Sequence, residues 1–98
     1  MSNDESAQPQ EPVSVYDHLA HILDLMAQVS WAKLGLQPDI MTGKIETNLA
    51  EAKVAIDTTA YLANLVDSQL DEADRRRVQG LVRDLRINYV QKTSEVGG

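Results

Sequence analysis

The sequence predicts an all-α fold, a three-helix antiparallel bundle with up-down-up connectivity and a disordered N-terminal tail. Three observations predict it. Apolar residues recur at helical three- and four-residue spacings in three separate segments. Each segment is preceded by a capping residue, Ser14, Asn48 or Asp71. No stretch alternates apolar and polar at period two, so no sheet is expected beyond a small hairpin around Thr42-Gly43.

Residues 1–13 are polar and proline-bearing, with Asp4, Glu5 and Glu11 and no basic residue, and read as a disordered acidic tail. The first helix is expected over 14–34. Ser14 caps it, Asp17 stands in a capping-box position, and Pro12 keeps the preceding chain out of helix. Its apolar positions are Val15, Leu19, Ile22, Leu23, Met26 and Val29, and Gly35 ends it as a left-handed C-terminal residue. Residues 36–47 carry the turn signals Pro38-Asp39 and Thr42-Gly43. That connection is long for two packed helices, which suggests that it packs or acts.

The second helix, 48–68, is capped by Asn48 with Glu51 in the reciprocal position. Its seam is Leu49, Ala52, Ile56, Thr59, Ala63, Val66 and Leu70. A tight turn at 68–70 leads to the third helix, 71–92, capped by Asp71. Glu72 and Asp74 lie near its positive end, and Val78, Leu81, Val82, Leu85 and Tyr89 form its inner face. Residues 93–98 are expected to fray. A single domain over 14–92 is the organisation that 98 residues allow.

Composition narrows the function classes. The apolar share is 43%, supplied mainly by Leu, Ala, Val and Ile with no Phe. With no Cys there is no disulfide framework, thiolate metal site or Cys nucleophile. No apolar run reaches the roughly 18–20 residues that cross a membrane, and no signal segment opens the chain. A soluble, cytoplasmic protein is expected. The net charge of −6 argues against a general grip on nucleic acid or anionic lipid.

Several short pieces occur in a fixed order. They are Trp31-Ala-Lys-Leu-Gly35, Pro38, Thr42-Gly43, Asn48-Leu-x-x-Ala52, Ala55-Ile-Asp57, Leu70 before an acidic cap, and Leu85-Arg86-x-x-Tyr89-Val90. In that order and spacing the chain resembles the small bacterial proteins grouped as domain of unknown function 1844, over roughly residues 15–92. The resemblance implies a bacterial, soluble, short all-helical protein with no assigned activity, and carries no catalytic residues. The chain departs from the family pattern at Thr59, where Leu is usual. It departs again at Asp67-Ser-Gln-Leu70, where a Lys-Thr-x-Gly-Asn segment is usual.

Helical wheels show more apolar surface than one private core requires. On the first helix the polar strip is narrow, Asp17, His21, Asp24 and Gln28, and Leu25, Trp31 and Ala32 lie outside the core row. The second helix carries another line, Ala50, Val54, Tyr61 and Leu65, opposite its seam, with Thr58 between. The third has Ala73, Gly80 and Ile87 at sevens. Three helices cannot cover all of this among themselves. The expectation is a homo-oligomer, with a dimer favoured, assembling a larger helical bundle across a two-fold axis. Another helical protein is the other possible occupant. Leu25, Trp31, Ala32, Val54, Tyr61 and Leu65 are the candidate partner-binding residues, although Trp31 could instead anchor the 36–47 loop.

Chemistry-bearing residues support no catalytic reading. No Ser-His-Asp constellation, paired-carboxylate cleft or glycine-rich cofactor turn is present, so no enzyme activity, cofactor or metal is expected. Asp17, His21 and Asp24 share a helical face with His18 nearby, but one helix supplies too few ligands to close a metal site. Gly43-Lys44 resembles the end of a phosphate-binding loop, yet Ile45 replaces the hydroxyl residue and no strand precedes it. Asp57, Arg86 and Tyr89 are expected to form a structural bridge between the second and third helices. Arg75, Arg76, Arg83 and Arg86 lie on one flank of the third helix. They offer an alternative function, contact with RNA or the ribosome, against the simpler pairing with the chain's own acids.

Overall fold

The computed structural model describes residues 11–97, and every regular element among them is helical. α1 is Val15–Lys33, α2 is Leu49–Val66 and α3 is Glu72–Gly97, with a 3-10 turn, Asp67–Gln69, joining α2 to α3. The all-α, three-helix expectation therefore holds. The tail expected over 1–13 lies outside the described residues as far as residue 10, and residues 11–13 have no regular structure.

The helix ends follow local chemistry. Ser14 is extended and its hydroxyl accepts the Tyr16 N–H at 3.1 Å. The Asn48 side chain accepts the Glu51 N–H at 3.1 Å, and Asp71 Oδ1 accepts the Asp74 N–H at 2.8 Å. Each side chain thus satisfies a backbone donor that has no partner inside its helix. At the other end of α1, Gly35 has φ +79°. Its N–H bonds the Ala32 carbonyl at 2.9 Å and the Leu36 N–H bonds the Trp31 carbonyl at 3.0 Å. That pair of bonds is a Schellman closure, and it needs the left-handed residue that glycine supplies.

One expected cap differs in detail. Glu51 does not reach back to the Asn48 N–H, which donates to the Lys33 carbonyl instead, at 2.8 Å. The Glu51 carboxylate is drawn to the Lys33 ammonium, 2.9 Å away. α3 also runs to Gly97, past the frayed end expected after residue 92. No proline or glycine stands between residues 92 and 97, Thr93 Oγ1 donates to the Val90 carbonyl at 2.9 Å, and Lys92 pairs with Glu95 at 3.8 Å.

Two buried clusters hold the helices together. Ala27 and Leu34 of the α1 end, Ala52 and Ile56 of α2 and Leu85 of α3 form one, near the 36–47 loop. Trp31, Leu49, Leu81 and Tyr89 pack around it. Leu23, Leu62, Val66 and Val78 form the other, near the α2–α3 turn. Leu81 packs against both and joins them. The inner face of α3 follows the sequence expectation. On α2 the predicted seam is buried at Ala52, Ile56, Thr59 and Val66 and half-buried at Leu49, Ala63 and Leu70, and Ala55 and Leu62 are buried beside it.

On α1 the buried row is Leu23, Ala27, Ser30 and Leu34, while Val15 and Ile22 are exposed. The packed stripe is turned toward the small residues, which let α2 approach closely. Ser30 and Thr59 are fully buried, each hydroxyl donating at 2.8 Å to a carbonyl one turn earlier in its own helix. α3 covers one side of the α1–α2 pair, and the thinnest extent of the molecule is 19 Å, roughly two helix widths.

Candidate functional site

The α1–α2 pair carries an exposed apolar surface, besides the exposed Ile87, Val90 and Val96 of α3. α2 contributes Val54 (65% exposed), Tyr61 (63%) and Leu65 (40%), and α1 contributes Ile22 (44%) and Leu25 (50%). Met26 and Val29 of α1 meet Val54 and Ala55 of α2 across a shallow hollow of about 240 Å³. The Lys33–Glu51 ion pair rims it. Beside it, Ile40 and Met41 fold back toward Leu25, Val29 and Ala32 around a second hollow of about 320 Å³. The two hollows share Val29 and Lys33, so the face is continuous from α2 across α1 to the loop.

Four of the six residues expected to bind a partner lie exposed on this face: Leu25, Val54, Tyr61 and Leu65. The other two do not. Ala32 is only 5% exposed, a small side chain at the base of the hollow that Ile40 and Met41 border. Trp31 is half-buried against the cluster of Ala27, Leu34, Ala52, Ile56 and Leu85, so it serves the internal core. Ile22, Val29, Ile40 and Met41 belong to the face although sequence reasoning did not place them there. The spacing of Ile22 and Val29 fits a core row equally well, and loop residues carry no periodic signal.

The loop that borders this face is built, not slack. Asp39 Oδ1 accepts the N–H groups of Met41 at 2.8 Å and Thr42 at 3.0 Å. The Asp39 N–H bonds the Lys44 carbonyl and the Gly43 N–H bonds the Asp39 carbonyl, both at 2.8 Å. The backbone N–H of Thr42, then that of Met41, hold the Asp39 carboxyl below its ordinary range. Lys33 is raised above its usual range, chiefly by its hydrogen bond to Glu51.

Asp57, Arg86 and Tyr89 do come together, but not as a bridge. With Lys53, Ile56 and Val90 they line a hollow of about 230 Å³ between α2 and α3. Asp57 Oδ2 is held by Lys53 Nζ at 2.8 Å, one turn away on the same helix, and no Asp57–Arg86 ion pair forms. The intrahelical partner needs no gap spanned, so it takes the carboxylate. Its hydrogen bond raises Lys53 above the ordinary range. The spacing of Lys53 and Asp57 is the signal that could have found this pair.

The arginine flank is largely engaged by the chain's own acids. Arg75 pairs with Asp67 at 3.4 Å and Glu72 at 3.6 Å, Arg76 with Glu72 at 3.4 Å, and Arg83 with Asp84 at 3.7 Å. Arg77 reaches Asp24 and Asp74, each at 3.9 Å. Arg86 is the one arginine without an ion-pair partner among the described residues. Asp17, His18, His21 and Asp24 are all exposed, and among the described residues no three metal-ligating side chains converge. No described helix is long and apolar enough to cross a membrane.

Fold and surface together define a small all-α protein in which a helical hairpin packs against a third helix on one side only. The chain belongs to the family described as domain of unknown function DUF1844, whose model matches residues 16–91. That match spans α1 and α2 and most of α3, in keeping with the resemblance carried by the ordered short pieces. No curated protein and no solved structure matches the chain.

Proposed function

We propose that this protein is a non-catalytic self-association module, a homodimer built through the outer face of α1 and α2. The observation that carries the reading is the exposure of Ile22, Leu25, Val54, Tyr61 and Leu65 on α1 and α2, with Leu25 and Val54 joined through two hollows that share Val29. Exposed apolar patches on monomers are small, and larger ones mark interaction sites. No charged residue stands at its central positions, 22, 25, 26 and 29 of α1 and 54, 58, 61 and 65 of α2. In a chain of net charge −6, that is where a second copy can approach with least repulsion.

Size supports the same reading. Two side-by-side helices of 18 and 19 residues offer a face roughly 28 Å long and about 20 Å wide. With the adjoining Ile40 and Met41, this is comparable with the about 800 Å² that each partner buries in a standard interface. Two such hairpins related by a two-fold axis bury the same patch on each other and complete a four-helix layer, with α3 outside on both sides.

Light scattering on the full chain tests this. The expected mass is twice that of one chain, and Leu25→Glu or Tyr61→Glu reduces it to one chain with the helical signal retained. A monomer at high concentration overturns the proposal. RNA contact through the arginine flank is the weaker reading, because Arg75, Arg76 and Arg83 already have carboxylate partners.

A further inference from the structure

We propose that the hollow between α2 and α3 binds a small carboxylic acid with a short apolar tail. Its carboxylate would rest on Arg86 and its tail against Ile56, Tyr89 and Val90. The site lies on the flank of α2 that faces α3, next to the self-association face, and none of the residues lining it belongs to that face.

Three observations converge on it. First, Arg86 has no ion-pair partner among the described residues, in a chain where acids outnumber bases 15 to 9 and the other four arginines each have one. Arg86 is exposed on α3 and borders three surface hollows, one along Ala60, Ala63, Val78 and Val82, one against Ile56 and Tyr89, and one beside Ile87. Its planar fork matches a carboxylate in two parallel hydrogen bonds.

Second, the local charge balance runs against that of the chain. Lys53 and Arg86 face one carboxylate, Asp57, which Lys53 already holds at 2.8 Å. One positive charge is left over at the rim, in a protein whose net charge is −6. The nearness of Arg86 also works against the rise in the Lys53 pKa, as two adjacent cations require. An arriving anion relieves that repulsion.

Third, the walls are apolar and the space is small. Ile56 is buried, Tyr89 half-buried and Val90 exposed, so a tail laid here covers the exposed Val90 side chain. At about 230 Å³ the hollow falls below the roughly 300–1,000 Å³ of drug-sized sites. It suits a chain of a few carbons, not a cofactor.

Titration of the ¹⁵N-labelled full-length protein with sodium hexanoate, followed by two-dimensional NMR, tests this. Hexan-1-ol and sodium acetate serve as controls for tail and charge alone. Hexanoate should move the amide signals around Lys53, Asp57, Arg86 and Tyr89 and saturate in the millimolar range. Each control should bind about tenfold more weakly, since each lacks one half of the recognition. Arg86→Gln should lose hexanoate by about tenfold while keeping its melting temperature, and Arg86→Lys should fall between. Equal binding of hexanol and hexanoate overturns the proposal. So does undiminished hexanoate binding in a folded Arg86→Gln protein, or a response confined to Leu25, Val29 and Ile40 around the hollow beside the loop.

Discussion

The backbone N–H of Asn48 donates to the carbonyl of Lys33 at 2.8 Å, tying the residue that caps α2 to the last turn of α1. The Lys33 ammonium closes the same junction from outside through Glu51, at 2.9 Å. Gly35 lies inside this closure, with φ +79°, and a β-carbon there would collide with the Thr47 side chain. Gly35→Ala is therefore expected to cost about 2–3 kcal/mol, strain and clash together. For a domain of this size that lowers the melting temperature by roughly 10 °C or more. Gly43 has φ +73° but open space around it, so Gly43→Ala should cost only about 1 kcal/mol. Adding Thr47→Ala should restore part of the loss at Gly35 and none at Gly43. Equal melting temperatures for the two glycine variants, at matched protein concentration, would refute this account of the junction.

The buried hydroxyl of Thr59 donates to the Ala55 carbonyl at 2.8 Å and bonds nothing across a helix interface. Thr59→Val keeps the shape and removes only that local bond, so its effect should stay within about 1 kcal/mol in either direction. Thr59→Leu inserts volume into a fully buried position and should cost about 1–3 kcal/mol. Leu85→Ala, at another fully buried site, should cost about 2–5 kcal/mol. Urea unfolding measures all three. A loss above about 2 kcal/mol for Thr59→Val would mean that the hydroxyl also serves another helix.

The positions just probed show where sequence reading succeeds and where it stops. The caps Ser14, Asn48 and Asp71 and the inner face of α3 are legible, because capping chemistry is local and α3 has one dominant apolar row. On α2 Ala52, Ile56, Thr59 and Val66 are legible, but the buried Ala55 and Leu62 are not. α1 has two competing rows. Leu23, Ala27 and Leu34 are no more apolar than Ile22, Met26 and Val29, and only packing against α2 decides between them. The same ambiguity makes Ile22 and Val29 indistinguishable from core residues in the sequence. Ala32 was read as exposed because the loop residues Ile40 and Met41, which border it, have no period to betray their position. Asp57 and Arg86 were brought to the same groove, as the wheels imply, but a wheel cannot rank Arg86 against Lys53 as the partner of Asp57. Distance along the helix ranks them, and the intrahelical pair wins.

Asp39 supplies a pH-dependent element at the edge of the apolar face. Its carboxylate accepts the N–H groups of Thr42 and Met41, so its pKa in the folded chain lies below the unfolded value. The sign follows from linkage. The contribution is fully present above the unfolded pKa, near about 3.9, and is lost as pH falls through the folded pKa. Carbon-13 titration of the side-chain carboxyl should give a midpoint below that of a model aspartate. Over the same window the protection of the Met41 and Thr42 amides, taken relative to the intrinsic exchange rate at each pH, should fall. Asp39→Asn should remove that pH-dependent loss of protection. A midpoint at or above the model value would show that the loop does not hold the carboxylate.

Arg75 is a brace for the α2–α3 turn, and its removal should be read in stability. Its Nη2 donates to the carbonyls of Asp67 at 3.2 Å and Leu70 at 3.3 Å. Its Nε lies 3.4 Å from Asp67 Oδ1 without the alignment of a hydrogen bond, and that nitrogen is buried. The side chain is about one-third exposed, at 34%, so water weakens these contacts but does not replace them. Arg75→Ala should cost about 1–2 kcal/mol. Arg75→Lys should recover little, because one ammonium cannot reproduce a planar fork aimed at two carbonyls. Arg76 is mostly exposed with a partner on its own helix, and Arg76→Ala should stay within about 0.5 kcal/mol. Melting curves of the three variants, run beside a salt-graded RNA retention assay, distinguish the two roles weighed for this flank. A brace predicts that Arg75→Ala melts lower with retention unchanged. An RNA contact predicts the reverse, lost retention at an unchanged melting temperature.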